Sequence, residues 1–345
     1  MTAPLVFILS PPRSGSTLLR VMLGGHPSLF APPELELLSF ETLAERKAAL
    51  SGRYGSFLEK TALGDRYNFW LEGMVRAIMA LRGCDAEEAK RTMEDWEGRQ
   101  LTTIQCYRLM QSWLGDRILV DKTPSYSFNL ETLKRAEVHF DRALYIHLLR
   151  HPRAMIRSFE EAKFDQIFVG YEHSLSPRAL AESFWLISHQ NILEFLKGVP
   201  AHRQYRLKYE ELVNRPRAAV EGICQFLGLT FHPDMLQPYG DPETRMTDGI
   251  HPGSKMVGDP KFHQNQGIDP KAADRWREDS TEDFLADVTW KLAESLCYER
   301  TTRSNGGFET PTTTGMTAGI GAAQQFEPAS SMVPLGPDGL DEGRL

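Results

Sequence analysis

Cysteine is scarce in this chain. Its 345 residues hold four, Cys84, Cys106, Cys224 and Cys297, far apart and with no C-x-x-C spacing. That excludes a disulfide scaffold and leaves reduced, mostly packing thiols, as in a cytoplasmic protein. Excess positive charge is missing as well. Lys and Arg number 39 against 46 Asp and Glu, a net charge of -7, so the chain lacks the broad basic surface that nucleic acid or an anionic membrane requires. An anionic ligand must be held by a few local groups instead. No apolar run approaches the roughly 20 residues that cross a bilayer. The N-terminus has no basic stretch followed by an apolar segment, so neither a membrane span nor a signal peptide is expected. Internal repeats are absent, no carboxylate cluster stands at metal-ligand spacing, and no metal is expected.

What the chain does have is an ordinary globular interior, with 41% hydrophobic residues, arranged as short apolar runs alternating with helical stretches. Leu5-Val6-Phe7-Ile8-Leu9, Ile118-Leu119-Val120 and Ala143 to Leu149 read as fully buried strands, and Arg206 to Tyr209 as a further strand. A helix follows the first strand through Leu18, Leu19, Val21, Met22 and Leu23 and stops at Gly24 and Gly25. A second starts beyond His151 and Pro152, a long amphipathic one covers 178–197, and another runs from Pro216 to Leu227 with proline in its first turn. Residues from about 34 to 114 are mainly helical. The pattern predicts an α/β fold with a central parallel sheet flanked by helices, whose ligands bind at the carboxyl ends of the strands. From Thr301 the character changes to Thr, Gly and Pro with few large apolar groups, so 301–345 is expected to be a flexible tail or interdomain linker after a domain over 1–300.

The two most unusual segments fall at that sheet edge. Ser10-Pro11-Pro12-Arg13-Ser14-Gly15-Ser16-Thr17 joins a buried strand to a helix. Such a turn aims backbone N–H groups and the positive helix end at one point. Ser14, Ser16 and Thr17 add hydroxyl donors, Gly15 lets the backbone come close, and Arg13 adds a charged donor fork. The bland alternative is a small-residue turn whose Ser or Thr caps the helix. The loop lacks the G-x-x-x-x-G-K-[ST] pattern of a Walker A motif, which weighs against a P-loop kinase or other nucleotide phosphotransferase. The second segment, Leu149-Arg150-His151-Pro152-Arg153-Ala154-Met155-Ile156-Arg157-Ser158, follows the strand that ends at Leu149. Arg150 can meet a phosphate with two N–H groups and Ser158 can add a short hydrogen bond. Arg153 and Arg157 read as solvated helix-start charges.

Pro11 to Arg20 resembles the 5′-phosphosulfate loop of the sulfotransferases that use 3′-phosphoadenosine-5′-phosphosulfate (PAPS). Arg150 with Ser158 resembles the same family's 3′-phosphate motif. Val120-Asp121-Lys122-Thr123-Pro124-Ser125-Tyr126 is similar to a Lys-Thr-Pro segment of its bacterial and Golgi-type branches, and Tyr205 to Leu212 to the segment whose tyrosine, here Tyr209, approaches the adenine. Val257 to Ile268 looks like the lid loop over the nucleotide, without the Arg-Lys-Gly triplet of the cytosolic animal members. The likeness spans about residues 4 to 298. It implies a P-loop-like sheet, a helical insert at about 40–115 on the acceptor side, and PAPS as the donor. Arg13, Ser14, Gly15, Ser16, Thr17, Arg150, Ser158 and Tyr209 would bind the nucleotide.

Sulfuryl transfer demands alignment, neutralisation of charge on the leaving phosphate, and a base for the acceptor hydroxyl. Arg13 meets the second need. Glu34 meets the third by its likeness to a catalytic glutamate of related bacterial enzymes; alternatively it opens the next helix and complements its dipole. His263 is a second candidate base, with the ordinary imidazole pKa of about 6.5, or a solvated loop residue. Lys122 either binds the sulfuryl oxygens or follows a strand as a surface lysine. His189 shares a helix stripe with Trp185, Ile192 and Leu196 and reads as a core residue. His26 reads as a helix-end residue. The helical insert at 40–115 and the loop 163–176 are expected to shape the acceptor pocket. The overall pattern is similar to sulfotransferase domains of modular polyketide synthases, which implies a β-hydroxyacyl chain on an acyl carrier protein, with free small alcohols, sugars and lipids as the open alternatives. The competing readings are the phosphotransferase, separable by nucleotide preference, and a non-catalytic nucleotide-binding module, separable by turnover.

Overall fold

The computed structural model describes residues 5–58, 69–165, 175–251, 262–278 and 283–300. All of them belong to one compact unit, Met1–Thr302. The tail 301–345, residues 257–261 of the expected lid loop and residues 166–174 of the loop 163–176 lie outside the described residues.

Five parallel strands form the centre: β1 (Leu5–Leu9), β2 (Leu29–Phe30), β3 (Ile118–Lys122), β4 (Leu144–Leu149) and β5 (Gln204–Lys208), in the order β2-β3-β1-β4-β5. Strand side chains alternate between faces, and here each face has its own core. Leu5, Phe7, Leu9, Leu119 and Tyr145 pack with α3 (Phe69–Arg82), α4 (Ala86–Gly98), α5 (Thr103–Leu114), α6 (Leu130–His139) and the C-terminal half of α8 (Pro177–Leu196). Val6, Ile8, Val120, Ile146, Leu148 and Leu207 pack on the other face with α1 (Ser16–Leu23), α9 (Tyr209–Asn214) and α10 (Pro216–Leu227). A third cluster joins α7 (Pro152–Glu161), the first half of α8 and α11 (Asp287–Ser295). Burial on both faces explains why these strands read as continuous apolar runs.

The expected helical stretch 34–114 resolves into α2 (Leu43–Leu58), α3, α4 and α5, but residues 34–38 are not helical. Glu34 therefore does not open a helix. The strand expected to reach Tyr209 ends at Lys208, and Tyr209 begins α9 instead. His189 is fully buried and bonded to His147 at 3.0 Å, while His26 joins the Thr230 carbonyl and the Ser28 amide after α1. Cys106 and Cys224 are buried, Cys84 is half-buried and Cys297 exposed, all four unpaired. Among the described residues no helix is long and apolar enough to cross a membrane.

Candidate functional site

β1 and β4 are neighbours in register, with Leu9 beside His147, so the loops leaving them emerge side by side at the carboxyl edge. After β1 the chain turns sharply. Arg13 takes a positive φ of 63° and Gly15 one of 85°, which wraps the loop around the start of α1. The φ suits glycine, and so does the crowding: a Cβ at position 15 would overlap the edge of the Tyr209 ring. Gly15 stands at the N-cap of α1 with no side-chain cap bond among the described residues. The capping reading of this loop is thus corrected: its Ser and Thr hydroxyls do not take up the first amides of the helix. Two of its hydroxyls, Ser10 Oγ and Ser14 Oγ, are buried with no hydrogen-bond partner among the described residues. Buried polar atoms are rarely left so, and an anion that accepts from them and from the helix amides satisfies all of these groups at once.

The second loop interlocks with the first. Arg150 follows β4 and donates from Nη1 to the Arg13 carbonyl at 2.7 Å. Its guanidinium lies 4.4 Å from the centre of the Tyr209 ring, and its buried Nε has no partner among the described residues. In return the Arg13 side chain crosses to α7 and donates from Nε and Nη2 to Ser158 Oγ, each at 3.3 Å. Tyr209 therefore touches Gly15 of one loop and Arg150 of the other. His151, at the N-cap of α7, gives its backbone N–H to Glu210 at 2.9 Å, which ties the second loop to the β5–α9 turn. Arg153 is not solvated as expected. It is buried over Trp276 and Phe284, and Arg157 is half-buried and paired with Glu161 at 2.7 Å. The arrangement can hold two anionic groups a short distance apart.

A third group stands beside them. Lys122 pairs with Ile8 in register, so the end of β3 adjoins the start of the first loop. It is 2% exposed and forms an ion pair with Glu34, itself 8% exposed. This corrects the surface reading of Lys122. Burial holds the lysine below its usual pKa, and the Glu34 charge works against that shift. Arg20 of α1 is drawn in too: burial lowers it to about 10, again opposed by Glu34. Its guanidinium is bonded to the carbonyls of Ala31 and Arg245 at 3.0 and 2.9 Å.

Residues 4–233 match the family model described as the Sulfotransferase family. The chain belongs to that family. Among solved structures it is similar to the sulfotransferase domain from the curacin biosynthetic pathway, with 38% identity and a TM-score of 0.75 over 86% of this chain and 98% of that one. It is similar to the sulfotransferase domain from the Synechococcus PCC 7002 olefin synthase as well, with 38% identity and a TM-score of 0.71 over 87% and 98%. A curated relative, nodulation protein NoeE of Sinorhizobium fredii (strain NBRC 101917 / NGR234), is 26% identical over 316 residues. That match covers 86% of this chain and 65% of NoeE, so the chain spans less than two thirds of that relative.

In this sulfotransferase the anion-loop residues Arg13, Ser14, Gly15, Ser16 and Thr17 come together with Arg150, Ser158 and Tyr209, and Glu34 comes together with Lys122. His263 is half-buried and lies edge-on at 5.7 Å to Phe262, whose ring packs in the core of the α1–α10 face. Sequence reasoning missed a layer behind Glu34. Glu36 is buried at a positive φ of 50°, with Ser125 Oγ 2.8 Å from both its oxygens. Burial, reinforced by the Glu34 charge, raises its pKa to about 8. Asp121 lies under Tyr107, Tyr126 and Thr123, and burial raises it to about 6 against their three hydrogen bonds. Charged residues inside apolar runs, as in Ile-Leu-Val-Asp-Lys and Leu-Glu-Leu-Leu, were the available signal.

Proposed function

We propose that this sulfotransferase takes PAPS as donor and transfers its sulfuryl group to a hydroxyl. The observation that carries the donor assignment is the interlocked pair of anion loops, with partnerless buried donors at Ser10, Ser14 and Arg150 Nε. PAPS carries two anionic groups, a 5′-phosphosulfate and a 3′-phosphate, and when bound supplies the activated sulfuryl group. Arg13, Ser14, Ser16, Thr17 and the α1 amides hold the first group, with Gly15 leaving room for it; Arg150 and Ser158 hold the second, with Tyr209 at the adenine. Glu34 accepts the acceptor's hydroxyl proton, Lys122 meets the sulfuryl oxygens, and Arg13 neutralises the charge that collects on the departing 5′-phosphate. His263 remains the alternative base. The helices over 40–115 form the acceptor side, in keeping with the contact of α3 with Glu34. Likeness to domains from the curacin pathway and an olefin synthase supports a β-hydroxyacyl acceptor on an acyl carrier protein. The domain spans 1–300, with 301–345 as a flexible tail or interdomain linker.

The test is calorimetric binding of adenosine-3′,5′-bisphosphate beside ATP and AMP. Arg13→Ala and Arg150→Ala each remove a charge-assisted contact and should weaken bisphosphate binding by about 1.5–3 kcal/mol, roughly tenfold or more. ATP binding that equals the bisphosphate and ignores Arg150 would overturn the donor. For the acceptor, sulfated product should form from a carrier-bound β-hydroxyacyl chain given PAPS; product from a free alcohol alone would sink that part.

A further inference from the structure

A base must be held within a few tenths of an ångström to take a proton efficiently, and Glu34 stands on a loop. Residues 34–38 are nonetheless all buried, and the chain grips each of them. Lys122 takes the Glu34 carboxylate, and the Glu34 carbonyl lies against the bare Cα of Gly73 on α3. Arg46 Nε donates to the Leu35 carbonyl at 2.9 Å. Ser125 donates to the Glu36 carboxyl. The amides of Leu37 and Leu38 both donate to the Tyr126 hydroxyl, at 2.9 and 3.1 Å. Glu36 keeps its positive φ of 50° inside this frame, a conformation that persists only where surroundings impose it.

Two of these anchors trace to consecutive residues of β3. Asp121 and Lys122 face opposite sides of the sheet. Lys122 takes the loop at Glu34; Asp121 takes it at Leu37 and Leu38 through Tyr126, whose hydroxyl donates to Asp121 Oδ2 at 3.1 Å. The loop thus straddles the end of β3 and is fastened on both faces. The valences favour this orientation over the longer contact of the Tyr126 hydroxyl with that of Tyr107, at 3.3 Å, since Tyr107 sends its own proton to the same Asp121 oxygen. A tyrosine hydroxyl has one proton and two acceptor positions. With the proton directed to Asp121, both acceptor positions are left for the two amides. A hydrocarbon at 121, like Leu119 on the same face, would leave the rotor undirected. Burying a carboxylate is costly, and Asp121 is 1% exposed, compensated by hydroxyls of Tyr107, Tyr126 and Thr123. Of those three, Tyr126 is the one that also receives the loop amides.

We propose that Asp121 and Tyr126 are positioning residues for Glu34, locking the 34–38 loop so that its carboxylate is held on Lys122 beside the anion loop. The inference rests on the reading of Glu34 as the base.

Tyr126→Phe and Tyr107→Phe form a matched pair, since each removes one hydroxyl from the same carboxylate at nearly constant volume. With PAPS and the carrier-bound β-hydroxyacyl chain, Tyr126→Phe should lower kcat at least tenfold, leave the donor KM within about twofold and move the acid limb of the kcat–pH profile. Tyr107→Phe should lose comparable thermal stability yet keep kcat within about threefold and leave the profile in place. Hydrogen exchange, which needs no acceptor, should speed at Leu37 and Leu38 at least tenfold in Tyr126→Phe only. If Tyr126→Phe does not accumulate, Asp121→Asn, which retains an acceptor oxygen, should lose less kcat than Asp121→Leu. Equal kcat losses or equal exchange in the tyrosine pair, or equal losses at Asp121, overturn the proposal. Glu34→Gln separates the two ideas. Full activity there removes Glu34 as the base, whereas an inactive Glu34→Gln beside a fully active Tyr126→Phe removes the positioning role alone.

Discussion

A lysine 2% exposed at a sheet end is tolerable because its counter-charge is buried with it. Lys122→Met deletes one partner and leaves Glu34 as an uncompensated buried charge, which should cost about 3–5 kcal/mol. Adding Glu34→Gln removes that charge, so the double variant should regain most of the loss in urea unfolding while staying inactive. A double variant no more stable than Lys122→Met would mean that the pair is not the coupled unit its geometry implies. The sequence left Lys122 open between a ligand and a surface residue for a physical reason. The last residue of a strand is buried or exposed according to what covers the strand end. Here the cover is loop 34–38, more than eighty residues earlier. Arg150 and Ser158 were legible because both belong to a single strand–helix unit. Their cross-bonds to Arg13 were not, because those depend on which strands are neighbours.

Elements that carry their whole pattern in one stretch were readable. β1 and β4 are unbroken apolar runs, α1 and α10 have their proline and glycine punctuation, and α8 has a continuous stripe. β2 has two residues and α9 six, too few for a period to register. α6 is amphipathic but short, and the Asn129 side chain at its start accepts from the Glu131 amide at 2.8 Å. The docking of α3 was invisible in the same way. Its Gly73 looks like a weak point in a helix, where Ala would be better by about 1 kcal/mol. In the fold a Cβ there would overlap the Glu34 carbonyl oxygen, which belongs to a backbone gripped at every residue. Steric overlap with fixed backbone outweighs the helix gain. Gly73→Ala should therefore lower both Tm and kcat while bisphosphate affinity stays within about twofold. A more stable, equally active variant would show that α3 need not touch the Glu34 loop.

At the scale of the whole molecule, buried titratable groups of opposite sense set the pH at which the fold is most stable. His147, His151 and His189 are neutral in the fold. Burial first, then neighbouring cations, holds His151 and His189 down to about 3 and His147 well below 6.5. The cations are Arg206 for His147 and His189, and Arg277, Arg153 and Lys208 for His151; the charge of a protonated His189 would also bear on His147. Glu36 and Asp121 hold protons in the fold up to about 8 and about 6. Between pH 4.5 and 6 unfolding adds three protons at the histidines and releases two at the carboxyls. The unfolded chain then binds one proton more, so stability falls with falling pH by roughly 1.4 kcal/mol per unit. Above pH 6.5 the histidines are neutral in both states, and of these five groups Glu36 alone still differs. The folded state then binds the extra proton, so stability falls with rising pH until about 8. The maximum lies near pH 6.5. In Glu36→Gln the alkaline fall should vanish and the acid slope should double, because only Asp121 then opposes the histidines. Urea unfolding of both proteins from pH 4.5 to 8.5 checks this. Parallel profiles would mean that Glu36 does not hold its proton in the fold, and the buried carboxyl beside Glu34 would have to be ionised there.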